Sequence, residues 1–261
     1  MEHAEVVSVM ANVLVRLEPG PVAARVSDVL SGMRDVEEVL GRETRICRVL
    51  SEAGAPVPTP LGNAPFEHEG RVVTLWEWID AGSGAGEPQA GAAALSVCHE
   101  ALVDVDEPLE PWDMLREARE VFVPRAPADL RGELGALGDV ISAAVEDMDQ
   151  LRPVQGDPHP GNFMWTAGGP LLIDWEDAHL APLEWDLACL VGSARVFGDD
   201  FGWAEAALGA YPGKWDANRL ERCVLARTFQ GAAFAAVLMS QRPEIAPRLE
   251  ARLAWLRGRL S

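Results

Sequence analysis

A stiff, sharply turned loop, Asp157-Pro158-His159-Pro160-Gly161-Asn162, leads straight into a strand–turn–strand pattern that closes on a carboxylate. Phe163-Met164-Trp165 reads as the first strand, Thr166 to Pro170 as the turn, and Leu171-Leu172-Ile173 as the return strand, with Asp174 at its end. In an antiparallel hairpin the start of the first strand lies beside the end of the second, so Asn162 and Asp174 are expected side by side. Two hard oxygen ligands together suit Mg2+, which takes few protein ligands and completes its shell with phosphates and water. The prolines and Gly161 hold Asp157 on a rigid lead-in, where its carboxylate can accept or orient the proton of a hydroxyl. An aspartate, an asparagine five residues on and a second aspartate ending an apolar strand together form a pattern suited to phosphoryl transfer.

The rest of the chain arranges itself around that segment. Val13–Leu17 and Val22–Val26 flank Glu18-Pro19-Gly20-Pro21 and predict a β-hairpin. Val36 to Ala53 has helical spacing, with Leu40, Ile46, Val49 and Leu50 as its apolar stripe; Gly54 ends it and Pro56, Pro58 and Pro60 enforce an extended exit. Arg71 to Ile79 reads as a further strand. Ala81 to Pro88, rich in glycine, is the expected joint, and beyond it helical periodicity dominates: Ala92–Val105, Trp112–Phe122, Leu130–Leu151, Trp185–Phe197, Asp216–Ser240 and Pro243–Leu260. The reading is therefore α+β in two parts. A small β-rich lobe with one helix spans residues 1–80, and a larger, mainly helical lobe spans 81–261 and carries the motif.

Charge and cysteine usage narrow the chemistry. With 22 basic and 41 acidic residues the net charge is −19, which repels nucleic acid and anionic membrane and attracts cationic ligands. The four cysteines, Cys47, Cys98, Cys189 and Cys223, are dispersed in apolar helical contexts and read as buried free thiols. His3, His68, His99, His159 and His179 form no metal-binding pair, which disfavours a transition-metal hydrolase. His159, between two prolines, reads as a loop-bracing hydrogen-bonder. The first residues lack a basic region followed by an apolar run, and no stretch is long enough to span a bilayer, so a cytoplasmic protein is expected.

On these residues the chain resembles the aminoglycoside phosphotransferase and choline kinase-like superfamily. Gln155 to Asn162 is similar to its H-G-D-x-H-x-x-N signature, Ile173-Asp174-Trp175-Glu176 to its metal-binding I-D-W-E, Pro182 to Ala188 to its P-x-x-W-D-L-A, and the helix carrying His99 to its L-x-x-L-H. The resemblance implies a bilobal protein-kinase-like fold with ATP or GTP between the lobes, Asp157 as catalytic base, and Asn162 and Asp174 holding Mg2+. It places Arg25 where the family usually has a phosphate-binding lysine, Glu43 as that cation's helix partner, and the backbone near Glu77 and Ile79 at the adenine. The sequence departs from the pattern in three places. Gln155 replaces histidine and can brace a loop but cannot become cationic. Arg25 replaces lysine with a bulkier planar cation. Ser8 to Asn12, in a glycine-free stretch, stands where a glycine-rich turn normally covers phosphate.

The acids after Asp174 point to the acceptor. Glu176 and Asp177 are candidates to bind an amino sugar or similar cation, with Trp175, Trp185, Trp203 and Trp215 offering their ring faces. Asp186 reads either as a further acid of this group or as a loop brace or helix cap. The expectation is a Mg2+-dependent small-molecule kinase that passes the γ-phosphate to a hydroxyl of a small cationic molecule, an aminoglycoside-like antibiotic first, with choline, a macrolide or a sugar compatible. The alternative is a non-catalytic, pseudokinase-like binder of small molecules. The arginines of the last helices, Arg222, Arg227, Arg248, Arg252, Arg257 and Arg259, read as solvated faces. The sequence does not fix the oligomeric state.

Overall fold

The computed structural model describes residues 3–9, 12–27, 33–82 and 86–260. Met10 and Ala11 of the glycine-poor turn, and Ser83 to Ala85 of the expected joint, lie outside the described residues. In chain order the elements are β1 (His3–Val9), β2 (Asn12–Glu18), β3 (Val22–Ser27), α1 (Val36–Glu52), β4 (Phe66–His68), β5 (Arg71–Glu77) and α2 (Pro88–Leu102). Then follow α3 (Asp113–Glu117), a π-helical turn (Ala118–Phe122), α4 (Val123–Arg125), α5 (Ala128–Val145) and β6 (Arg152–Val154). A 3-10 turn (Pro160–Asn162) leads into β7 (Phe163–Thr166), β8 (Gly169–Leu172) and β9 (His179–Ala181). The chain ends with α6 (Glu184–Phe197), α7 (Phe201–Ala210), α8 (Ala217–Leu238), a 3-10 turn (Pro243–Ile245) and α9 (Ala246–Leu260).

The chain divides into two compact units, residues 1–108 with 161–178, and residues 109–160 with 179–261. This division differs from a split at residues 80 and 81. Hydrogen bonds attach the β7–β8 hairpin to earlier chain: Leu172 N–H donates to Pro56 C=O at 2.8 Å and Gly82 N–H to Trp165 C=O at 2.6 Å. The helix α2 packs on β8.

The first unit is built on an antiparallel sheet in the order β1-β2-β3-β5-β4. Its centre, β3, buries Ala23 and Ala24 in succession, leaves Arg25 half-buried, and pairs Arg25 with Leu14 on one side and Thr74 on the other. The helix α1 starts where Asp35 accepts the Glu38 N–H at 3.2 Å, with Glu37 and Glu38 favourably placed in its first turn. It buries Leu40, Glu43, Ile46, Cys47 and Leu50 and stops before Gly54, whose φ of 78° suits the residue after a helix end.

The second unit is helical and centred on α8, against which α5, α6, α9 and the π-helical turn all pack. Alanines and Phe229 fill its buried faces, and Gly138 on α5 lets the Phe229 ring close in: a Cβ there would stand 2.8 Å from it. A two-stranded ladder pairs β6, which leads into the Asp157 loop, with β9. All four cysteines are free and buried. Among the described residues no helix is long and apolar enough to cross a membrane.

Candidate functional site

In the first unit the hairpin forms as its sequence dictates. Phe163 faces Leu172, Met164 faces Leu171, and the Ile173 N–H donates to the Asn162 C=O at 2.9 Å. Asn162 and Asp174 thus stand at the open end of one hairpin. Asp174 adopts a left-handed backbone (φ 64°), a conformation that aspartate tolerates better than most residues.

Asp174 is held in a charged cluster centred on Arg25. One nitrogen of that guanidinium donates to both oxygens of Glu43 at 2.6 Å, and the other donates to Asp174 at 2.6 Å and Glu176 at 2.7 Å. With its amide oxygen facing Arg25, Asn12 accepts from Nε at 3.0 Å and Nη2 at 2.7 Å. The Trp175 N–H donates to Glu43 at 3.1 Å, tying the helix glutamate to the residue after Asp174. Arg34 pairs with Asp177 at 2.8 Å, and Arg42 donates to the Glu176 carbonyl at 2.9 Å. Burial works to lower the Arg25 pKa, but Glu43, Asp174 and Glu176 outweigh it and hold the guanidinium charged. Burial pushes Glu43 up against the pull of Arg25. Burial, opposed by Arg25 and reinforced by Asp174, Asp177 and Glu43, drives Glu176 up to about 8.

This cluster closes one end of a cavity of about 580 Å³. Val7, Leu14, Ala23, Met164 and Ile173 give it apolar walls; Glu77, Trp78, Ile79 and Asp80 line it where β5 ends; Arg25, Glu43 and Asp174 supply its charged end. It is an apolar slot leading to a cation and a carboxylate, the shape and polarity needed for a flat base with an anionic tail. The donor set also fits a small hard cation. Three carboxylates converge on one guanidinium, leaving negative charge to neutralise, and Asp174 is the most exposed of them, its side chain 39% accessible. Among the described residues no three His, Cys, Asp or Glu side chains form a ready-made metal centre, which Mg2+ does not require when phosphates and water complete its shell.

In the second unit the Asp157 loop is braced from several sides. Asp186, at the start of α6, accepts the Gln155 N–H at 2.8 Å and the Gly156 N–H at 2.9 Å; this is the loop-brace reading of that residue. Gln155 accepts the Asp157 N–H at 2.7 Å through its side-chain oxygen, so the glutamine performs the bracing with neutral groups. The buried Trp185 indole donates to the Gly156 C=O at 2.8 Å. The His159 backbone N–H bonds the Asp157 C=O at 2.8 Å.

Two residues here were not anticipated. Arg227 of α8, read from sequence as a solvated face, pairs with the Asp157 carboxylate and also reaches Gln230 and the Cys189 sulfur. Arg252 of α9 lies beside it: a Cβ on Gly231, one turn beyond Arg227, would stand 3.0 Å from Arg252 Nε. The buried neighbours of Arg227 on α8, Val224, Ala226, Thr228, Phe229 and Gln230, show that this stretch is not a solvated face. Of the acids and tryptophans expected at an acceptor, Glu176 is paired with Arg25, Asp177 with Arg34, and Trp175 and Trp185 are wholly buried.

The first unit's sheet with its helix, followed by a helical unit holding the Asp157 loop, defines an α+β protein of the protein-kinase-like class. The solved structures that it resembles share this fold. The amicoumacin kinase hAmiN, in complex with AMP-PNP, Ca2+ and Ami, superposes with a TM-score of 0.76 at 15% identity over 99% of this chain and 89% of that one. The choline kinase LicA from Streptococcus pneumoniae gives 0.72 at 15% identity over 98% and 93%. The spectinomycin phosphotransferase APH(9)-Ia, in an AMP-bound complex, gives 0.67 at 14% identity over 98% and 92%. No curated protein matches in sequence. Residues 11–221 match the phosphotransferase enzyme family APH, and the chain belongs to that family.

Proposed function

We propose that the chain is an ATP-dependent O-phosphotransferase acting on a small molecule, with its nucleotide in the slot of the first unit and its catalytic carboxylate, Asp157, in the second. The observation that carries this reading is the apolar slot ending on Arg25 and Asp174. The base would lie between Ala23 and Met164 with its edge at the backbone of Glu77 and Ile79, and the phosphates would extend toward Arg25, which Glu43 steadies. The adenine nucleotides bound by hAmiN and by APH(9)-Ia favour ATP over GTP. Asn162 and Asp174 would hold Mg2+, which when bound supplies charge neutralisation on the phosphates. Asp157 takes the proton of the acceptor hydroxyl as its oxygen bonds to the γ-phosphorus, the bond to the β-phosphate oxygen breaks, and ADP leaves. The acceptor proton then passes to solvent.

The net charge of −19 favours a cationic acceptor of the aminoglycoside type, but the local acids do not reinforce it. Glu176 and Asp177 are matched by Arg25 and Arg34, so they serve to anchor the cluster. Phosphate release from Mg2+-ATP with water as acceptor tests the assignment. It should fall at least about 100-fold in Asp157→Asn, in line with loss of a general base, while the thermal shift produced by Mg2+-ATP persists. Undiminished release in the variant would remove Asp157 from the mechanism. A thermal shift with no phosphate release in the unmodified chain would favour the non-catalytic binder.

A further inference from the structure

The charge facing Asp157 within its own unit is positive. Arg227 pairs with the Asp157 carboxylate. Arg252, from the neighbouring helix, makes no hydrogen bond or ion pair among the described residues; its guanidinium lies 4.9 Å above the Phe197 ring and against Gly231. Arg248, one turn earlier on α9, lies 4.7 Å from the centre of the same ring and pairs with Asp199 at 2.6 Å. Three guanidinium groups thus run along α8 and α9, and the middle one has no directly paired anion among the described residues. Burial, then Arg227 and Arg248, lower the Arg252 pKa to about 10, against the pull of Asp157. A half-buried arginine that repels its neighbours is costly to keep without a partner. An amine brought to Asp157 would have to displace Arg227 and enter this positive field. A ligand oxyanion would do the opposite, and the planar fork of arginine suits carboxylate and phosphate.

We propose that the acceptor carries an oxyanionic group, a carboxylate or a phosphate, which Arg252 binds together with Arg227 while the acceptor's hydroxyl is presented to Asp157. The proposal rests on the phosphotransferase reading for the role of the ligand, but not for the existence of the anion site. It makes Arg252 a specificity-determining residue of α9 and reverses the expectation of a cationic acceptor.

The site is tested without nucleotide, on the full chain, by thermal unfolding at ionic strength held constant with sodium chloride. Sodium acetate is the carboxylate probe, inorganic phosphate the phosphate probe and choline chloride the cationic control. One of the two anions should raise the melting temperature saturably, and whichever does so identifies the group. Arg252→Met, which keeps an unbranched side chain at that position, should weaken that binding about 10- to 100-fold, the range of a charge-assisted hydrogen bond, and Arg252→Lys should restore part of it. Arg25→Met separates this site from the phosphate end of the nucleotide slot and should leave the response in place. The proposal is overturned if neither anion binds, if Arg252→Met responds as the unmodified chain does, or if choline alone stabilises. With Mg2+-ATP, turnover of gluconate but not glucosamine is expected. Turnover of glucosamine alone would overturn the anionic acceptor and leave the transferase standing, whereas anion binding without any Mg2+-ATP binding would do the reverse.

Discussion

Asp186 shows how much one buried side chain can settle. It is fully enclosed, and its two oxygens take the N–H groups of Gln155 and Gly156, which would otherwise be buried without partners. Asp186→Ala should destabilise the second unit by about 2–4 kcal/mol, the cost of orphaning two buried donors, read as a lower urea midpoint; Asp186→Asn should recover part of the loss. An unchanged midpoint in the alanine variant would mean that the loop holds itself. At this scale the sequence was informative where chemistry and spacing coincide. The placement of Asn162 and Asp174 at one end of a hairpin was legible because antiparallel pairing fixes it. Arg227 and Arg252 were not. They are 25 residues apart on different helices, and only the packing of α9 on α8 brings them together.

Among the elements, the long periodic segments were read nearly to their ends. The helix expected over Val36–Ala53 is Val36–Glu52, and Asp216–Ser240 is Ala217–Leu238. The missed elements are short or weakly patterned. β4, β6 and β9 have three residues each, too few for alternation to register, and α7, Phe201–Ala210, is apolar nearly all round. The helix expected over Leu130–Leu151 stops at Val145, because Arg152–Val154 leaves to pair with β9. Packing also explains why position 86 of the glycine-rich segment is a glycine. A Cβ on Gly86 would fall 2.0–2.3 Å from the Trp165 indole, a clash with a rigid ring on β7. Gly86→Ala should cost about 1–3 kcal/mol of stability and move the Trp165 ring, seen as a fluorescence change; equal stability with unaltered emission would show that the segment yields freely.

For the whole molecule, the expected α+β class holds, while the division into units follows contacts that sequence order conceals. The hairpin bearing Asn162 and Asp174 belongs with the sheet, although the helices on either side of it belong to the other unit. The charge cluster it completes makes stability depend on pH in the metal-free chain. Glu176, ordinarily near 4.5, is raised to about 8, so the folded state holds a proton that the unfolded state releases. The stabilisation is full below about pH 4.5 and is lost as pH rises through 8. Metal-free unfolding between pH 6 and 9 should show falling stability, flattened in Glu176→Gln; parallel curves for the two proteins would contradict it.

The helix carrying Arg227 is enclosed by α5, α6 and α9, whereas α9 buries only its Leu249, Leu253 and Leu256 stripe. If Arg252 holds the acceptor as proposed, acceptor preference is most easily retuned from the outer helix. On the proposed role of Arg252, substitutions there would vary the ligand from a helix that buries a single stripe, while any change at position 227 must be absorbed by a helix packed on several sides.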